Sequence, residues 1–337
     1  MAINKQEHAQ WSSSFGFVLA AVGSAVGLGN IWKFPYMVGE SGGSAFVIAY
    51  LFCLALIGFP ILVAEWLIGR RGQKNPINTF SDVAASEGKS RSWGIVGATG
   101  ILGGFLILSF YSVIGGWALN YITKVGSGSF AGQDSDSVAA TFDAMLASAG
   151  TLTIWHTVFM VITALIVGVG VTKGIENTAK VLMPLLGVIL FVIVGYNVMN
   201  GGFGEAVNYL FAPDLSKLNA DVMLAALGHA FFTLSIGMGI MVAYGSYLGR
   251  DVNLLSTART VVILDTVIAL AAGLAIFPII FNNGLDPASG PGLIFVSLPI
   301  AFGSMGAGAV IGTLFFLLIT FAAVTSSISS LEPTVEL

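Results

Sequence analysis

The sequence predicts an all-α, polytopic membrane protein with about eight spans, and three observations lead there. Of 337 residues, 56% are hydrophobic and only 9% charged, whereas a soluble domain carries about 25% charged residues. Apolar stretches near the ~20 residues that cross a bilayer as a helix recur at 14–38, 44–68, 94–124, 153–171, 181–199, 222–248, 259–281 and 307–331. Two of them, the first and the sixth, are interrupted midway by glycines and small polar residues.

Composition narrows the class further. Forty-three glycines suit helices whose backbones approach closely in lipid. A net charge of −4 offers no basic surface for nucleic acid. Cys53 is the single cysteine, so no intrachain disulfide forms. The polar start, Met1 to Gln10, and the long apolar run after it do not read as a cleavable signal peptide.

The connecting segments give an orientation. Segment 69–92 holds Arg70, Arg71, Lys74, Lys89 and Arg91, and the turns near 172–180 and 249–259 hold Lys173, Lys180, Arg250 and Arg259. Segment 125–152 has no Lys or Arg but has Asp134, Asp136 and Asp143. Positive charge marks the cytoplasmic side, which puts the N-terminus, with Lys5, and the end of the eighth span inside. Segments 125–152 and 200–221 are long enough for short external helices. Segment 282–306, with Asn282, Asn283, Gly284, Pro287, Gly290 and Pro291, reads as a turn-rich external flap.

The first span contains Gly23-Ser24-Ala25-Val26-Gly27-Leu28-Gly29-Asn30. Each glycine weakens a helix by about 1 kcal/mol relative to alanine. In lipid an unwound backbone persists only where it lines a cavity or meets a ligand; close packing through small residues is the alternative. The sixth span contains Phe231-Phe232-Thr233-Leu234-Ser235-Ile236-Gly237-Met238-Gly239. Interruptions five spans apart point to an inverted-repeat transporter core with its site at the midplane.

Two further signals are polar. Ala322, Thr325 and Ser326 share one face of the eighth span by i, i+3, i+4 spacing. They offer one carbonyl and two hydroxyls, the hard oxygens an alkali cation takes, unless the hydroxyls merely bond their own helix. Asp265 lies within the apolar run Val261 to Ala275. A carboxylate at mid-membrane costs about 2.5–3.5 kcal/mol, so it either has a functional partner or reaches water near the cytoplasmic end. Nothing points to an enzyme. There is no HExxH, no cysteine–histidine cluster and no Gly-x-Ser-x-Gly, and His8, His156 and His229 fall in separate segments.

These residues carry a resemblance. Gly23 to Asn30 followed by Ile31-Trp32-Lys33-Phe34-Pro35 resembles the first-span signature of the neurotransmitter:sodium symporters. Glu40 with Gly42-Gly43-Ser44-Ala45-Phe46, then Glu65-Trp66 and Gly69-Arg70, is similar to the second-span pattern. Phe231 to Gly239 and Thr325-Ser326-Ser327 are similar to the sixth- and eighth-span motifs, and the match keeps its order from Trp11 to Pro333. Such proteins have eleven or twelve spans in two inverted five-span repeats. The expected organisation is therefore a cytoplasmic segment at 1–13, a first repeat at 14–199 and an incomplete second repeat, spans six to eight, at 222–337.

The resemblance implies sodium-coupled symport of a neutral amino acid into the cell by alternating access, in a bacterial inner membrane with the N-terminus cytoplasmic. It implies a substrate site of Ser24, Ala25, Gly27, Leu28, Gly29, Ile107, Tyr111, Phe232, Thr233, Ser235, Met238, Ser326 and Ser330. The substrate carboxylate would meet the Leu28 and Gly29 N–H groups and the Tyr111 hydroxyl. Met238 and Ser330, where relatives carry larger residues, make a roomier pocket for a large hydrophobic or aromatic side chain. One sodium would use Ala25, Asn30, Thr233 and Asp265, and a second Gly23, Val26, Ala322, Thr325 and Ser326. With Asp265 supplying the negative charge, chloride is not expected to be needed. Glu65 would bond free N–H groups of the broken sixth span, and His229 reads as a satisfied structural histidine. Trp11, Lys33, Gly174 and Pro184 resemble gating residues: a latch, an external gate, and the two ends of a hinge in the fifth span. At the inner gate His8 replaces an expected arginine, with Lys5 nearby.

Overall fold

Hydrocarbon offers no water to pair peptide groups, so an apolar run must pair them internally as a helix. In the computed structural model, which describes residues 10–337, six runs do so: Ser44–Gly72, Arg91–Gly126, Ala149–Gly168, Val171–Asn200, Leu254–Asn282 and Gly308–Val335. They are the second, third, fourth, fifth, seventh and eighth expected spans. The first is two helices, Ser14–Ala25 and Gly29–Glu40, bent by 45° at the break. The sixth is likewise two pieces, Ala220–Thr233 and Ile240–Ser246, separated by 234–239. Neither piece is long enough to cross a membrane as one helix, so by length the described residues hold six spans and one bent pair, against the eight expected with the first and sixth interrupted. No strand occurs among the described residues.

The acidic connections carry short helices, as expected: Ser135–Ala147, Phe203–Phe211 and a 3-10 turn at Leu215–Lys217. The expected flap is different. After its turns it becomes a helix, Leu293–Ser304, because Leu293, Ile294, Phe295 and Leu298 bury their side chains completely or nearly so, and a buried backbone must be paired. Between the second and third spans lies the helix Pro76–Ser86. There Asp82 meets Lys74 at 2.6 Å and Arg91 at 3.2 Å; the Lys74 hydrogen bond holds its carboxyl below the usual range.

Prolines inside helices release a carbonyl four residues earlier, and two of these carbonyls are re-paired across the bundle. Pro299 frees the Phe295 carbonyl, to which the Tyr121 hydroxyl donates at 2.9 Å. Pro278 frees the Leu274 carbonyl, and the Asn197 amide donates to Leu274 at 3.1 Å and to Ala275 at 2.8 Å. Pro184, in the fifth span, frees the Lys180 carbonyl, and no described side chain replaces the lost donor. The third span packs so closely on the fourth that a Cβ on Gly116 would stand 2.9 Å from backbone atoms of Trp155 and His156.

Candidate functional site

Both interrupted segments owe their shape to residues that tolerate unpaired or left-handed backbone. The first helix ends at Ala25; Val26 is extended (φ −77°, ψ 99°), and pairing resumes as a π turn at Gly29–Lys33. In the second break Gly237 and Gly239 take φ of 80° and 74° and Ser235 takes 54°. Glycine adopts such angles without strain, whereas serine does so at a cost. Gly27 is required for a different reason. A Cβ there would stand 2.6 Å from the Tyr111 hydroxyl and collide with the Ser326 hydroxyl.

The freed peptide groups find side chains. The Leu28 N–H donates to the Tyr111 hydroxyl at 2.9 Å, and the Gly27 N–H to Asn30 Oδ1 at 3.1 Å. The Gly237 N–H donates to Glu65 Oε1 at 2.6 Å, the bond expected of Glu65. The Ser24 carbonyl accepts from Ser235 at 3.1 Å and from Ser326 at 3.2 Å. The two breaks and the eighth span are thus tied together at one point.

Around that point is a cavity of about 20 Å³, lined by Ser24, Ala25, Gly27, Gly29, Ile107, Tyr111, Phe232, Ser235, Met238, Ser326 and Ser330. Every lining residue belongs to the substrate set that the resemblance implies. The two others of that set, Leu28 and Thr233, turn to Tyr111 and to Asp265. A cavity of this size has room for about one water. Its polar surface is a serine hydroxyl without a partner, that of Ser24, with the hydroxyls of Tyr111, Ser235, Ser326 and Ser330.

Beside the cavity Asp265 is fully buried. Its carboxylate accepts from Asn30 Nδ2 at 2.8 Å, from the Thr233 hydroxyl at 3.0 Å and from the Tyr50 hydroxyl at 3.1 Å. It therefore does not reach water at the cytoplasmic end. Charge-assisted bonds of this kind are the strong ones, and they join the first, second, sixth and seventh spans. Sequence reasoning missed Tyr50; the available signal was a phenol in an apolar run, which needs a partner when buried.

On the eighth span the alternatives divide. Thr325 donates to the carbonyls of Phe321 and Ala322 in its own helix, both at 3.1 Å. Ser326 crosses to the first span, to Gly23 O at 3.4 Å as well as Ser24 O. Thr325 still abuts the break, since a Cβ on Gly23 would stand 3.3 Å from its Cβ. Val26 and Ala322 are fully buried. Among the described residues no three His, Cys, Asp or Glu cluster as a metal centre. Neutral oxygens with a single carboxylate suit a hard, singly charged cation rather than a transition metal.

The expected gating residues sit at the two ends. Lys33 Nζ lies 4.3 Å from the centre of the Phe232 ring. At the other end Trp11 donates from Nε1 to Tyr244 O at 3.1 Å and packs edge-on against Tyr244 and Tyr247. Ser12 donates its N–H to Glu176 Oε2 at 2.9 Å and its hydroxyl to Oε1, while Lys180 pairs with Glu176 at 2.7 Å. The segment before the first span is thereby fastened to the sixth and fifth spans. Gly174 lies in a π turn, Val171–Glu176, where a Cβ would strike the Ile166 carbonyl. Lys5 and His8 lie outside the described residues. His229 departs from its expectation. It is fully buried against Phe34, Phe46 and Tyr50, and neither ring nitrogen has a hydrogen-bond partner among the described residues.

Comparison with known proteins extends this geometry. The model of the sodium:neurotransmitter symporter family matches residues 8–135 and 137–336. The chain is 40% identical over 330 residues to the uncharacterized sodium-dependent transporter YhdH of Bacillus subtilis, covering 98% of this chain and 72% of that one. It is 37% identical over 338 residues to an uncharacterized sodium-dependent transporter of Haemophilus influenzae, covering 98% and 74%. Among solved structures, MhsT in complex with L-phenylalanine superposes with a TM-score of 0.88 at 46% identity, covering 96% of this chain and 73% of that one.

Proposed function

The chain belongs to the sodium:neurotransmitter symporter family, a family of membrane transporters rather than enzymes, and from that premise we propose that it carries a large hydrophobic or aromatic neutral amino acid into the cell with sodium, by alternating access. The observation that carries this reading is the cavity between the two interrupted helices, whose lining is the substrate set expected from the sequence. Peptide N–H groups where a helix resumes favour a carboxylate. The Leu28 N–H stands there beside the Tyr111 hydroxyl. Carbonyls at the ends of the first halves, near Ala25 and Phe232, and the Ser235 hydroxyl suit an ammonium group. A cavity with room for about one water must widen to admit an amino acid, so Tyr111 must release Leu28 as substrate enters. Ile107, Phe232 and Met238 supply an apolar wall, and methionine adapts its shape to different side chains. The relative MhsT, solved with L-phenylalanine, supports an aromatic substrate.

Sodium enters as a second cargo. One ion would be held by Ala25, Asn30, Thr233 and Asp265, next to the substrate carboxylate. A second would be held by Gly23, Val26, Ala322, Thr325 and Ser326, where the first and eighth spans touch. The Asp265 charge makes chloride unnecessary. Each positive charge entering across 100 mV contributes about 2.3 kcal/mol. Two would sustain roughly three decades of accumulation at about 1.4 kcal/mol per decade. The chain would sit in a bacterial inner membrane with its N-terminus inside, 14–199 forming one repeat and 222–337 part of its inverted counterpart. Lys33 and Phe232 would close the outer path. Trp11, with the Ser12–Glu176–Lys180 cluster, would close the inner one, and the Gly174–Pro184 stretch would act as its hinge.

Uptake of labelled phenylalanine into proteoliposomes tests this. Accumulation should require an inward sodium gradient, persist when gluconate replaces chloride, and be competed by tryptophan, tyrosine and leucine before alanine. Uptake indifferent to sodium would defeat the symport reading, and a preference for alanine would defeat the large pocket.

A further inference from the structure

A second cavity, remote from the first in both position and chemistry, runs along the outside of the bundle between the fourth and fifth spans. It encloses about 580 Å³ and is floored by the third and eighth spans. Its length is hydrocarbon: Ile122 from the third span, Ile162 and Ile166 from the fourth, Val181 and Leu182 from the fifth, Phe321 from the eighth. Thr320 also lines it, but its hydroxyl donates back to the Phe316 carbonyl at 2.8 Å, which leaves its methyl as the free surface.

One end is different. Asn177 and Thr178 line the groove at the start of the fifth span, and neither side chain bonds any described residue. One turn earlier, at the i−4 position that shares a helix face with Asn177, stands Lys173, exposed and without an acidic partner among the described residues. The nearby Lys180, by contrast, is committed to Glu176. The groove therefore has a cationic, hydrogen-bonding mouth at the basic side of the membrane and an apolar length at membrane depth.

We propose that this groove holds one acyl chain of an anionic phospholipid, with its headgroup on Lys173, Asn177 and Thr178. The size falls in the range of sites that enclose a small ligand, about 300–1,000 Å³. The charge pattern matches an anionic headgroup from the cytoplasmic leaflet. A neutral hydrophobic solute would leave the mouth unpaired, and a soluble anion would leave the apolar length empty. The site lies on the π turn at Val171–Glu176 and the segment leading to Pro184, so its occupant would bear on the part of the fifth span least secured by hydrogen bonds. The inference does not depend on which amino acid is carried, or on transport at all.

The test is direct. The purified full chain is delipidated, incubated with dioleoyl phosphatidylglycerol or dioleoyl phosphatidylcholine, and the lipids retained per protein are counted by native mass spectrometry. One phosphatidylglycerol should be retained at concentrations where phosphatidylcholine is not. Lys173→Gln should reduce that preference about fivefold, the worth of one surface lysine. Ile162→Trp, which fills the groove, should abolish retention while thermal unfolding confirms a folded protein. A phosphatidylglycerol carrying a diazirine in its chain, applied to the unaltered protein, gives an independent answer. Adducts should map to 162–182 and 317–324. Adducts spread over other lipid-facing helices, equal retention of the two lipids, or a groove filled instead by a second copy of the chain would overturn the proposal.

Discussion

Replacing Asp265 by asparagine isolates the one charge in the site. The two side chains have the same shape, and the Tyr50 and Thr233 hydroxyls can each accept from the new amide as readily as they donated to the carboxylate, so packing around this fully buried position is retained. What is lost is the charge. Two unit charges about 4 Å apart at an effective dielectric near 20 attract by about 4 kcal/mol. Part of that is offset in the unaltered protein by the cost of burying the carboxylate. A net loss of roughly 1.4–3 kcal/mol means sodium half-saturation rises about 10- to 100-fold. With no resident anion, a mobile one should now be required. Sodium titrations of labelled phenylalanine binding, in chloride and in gluconate, measure both effects. Asp265→Asn should need far more sodium and should bind only when chloride is present. Unchanged sodium dependence, or indifference to chloride in the variant, would refute the assignment of Asp265 as the charge that balances the ion.

Three other outcomes follow from the geometry. Gly27→Ala drives a methyl to 2.6 Å from the Tyr111 hydroxyl and should weaken substrate binding about 10- to 100-fold, while overpacking costs the fold about 1–3 kcal/mol. Pro184→Ala restores an N–H for the Lys180 carbonyl and favours the helix by up to about 3 kcal/mol; in time-resolved efflux from proteoliposomes, sodium release should slow at least about tenfold. Asn197→Ala leaves the Leu274 carbonyl, released by Pro278, without its donor and should cost about 1–3 kcal/mol. Reaction of the buried Cys53 thiol with a maleimide dye during heating would report that loss as an earlier transition.

How far the sequence could be read depended on what kind of interaction each feature uses. The two breaks were legible because glycine and hydroxyl residues at mid-membrane depth have few explanations, and the Gly23–Asn30 and Phe231–Gly239 runs fall at corresponding places in chain order; the substrate set around them came only from the family resemblance those runs carry. Glu65 was legible for the same reason: a buried acid beside a broken helix has obvious partners. The interruption of the sixth span was legible from the glycines and hydroxyls of Phe231–Gly239, but hydropathy over 222–248 does not say which of those residues take left-handed angles. The turns of segment 282–306 were legible from its prolines and glycines; the apolar run after them, once buried, pairs its backbone as a helix, which those residues did not announce. Tyr50, Asn197 and Glu176 were passed over because their roles are set by partners 77 to 215 positions away. Tyr50 reaches Asp265, Asn197 the Leu274 carbonyl that Pro278 releases, and Glu176 the backbone of Ser12. Periodicity says which face a residue occupies but not which distant group waits there.

The central claim is that two helices broken at one depth hold an amino acid on their bare peptide groups in concert with sodium. Equilibrium binding of labelled phenylalanine to the purified chain, in sodium chloride and in potassium chloride at equal ionic strength, tests it most directly. The account predicts saturable binding at one site that appears with sodium, is absent in potassium, and collapses in Gly27→Ala. Binding of equal strength in both salts, or none in either from a folded protein, would contradict it.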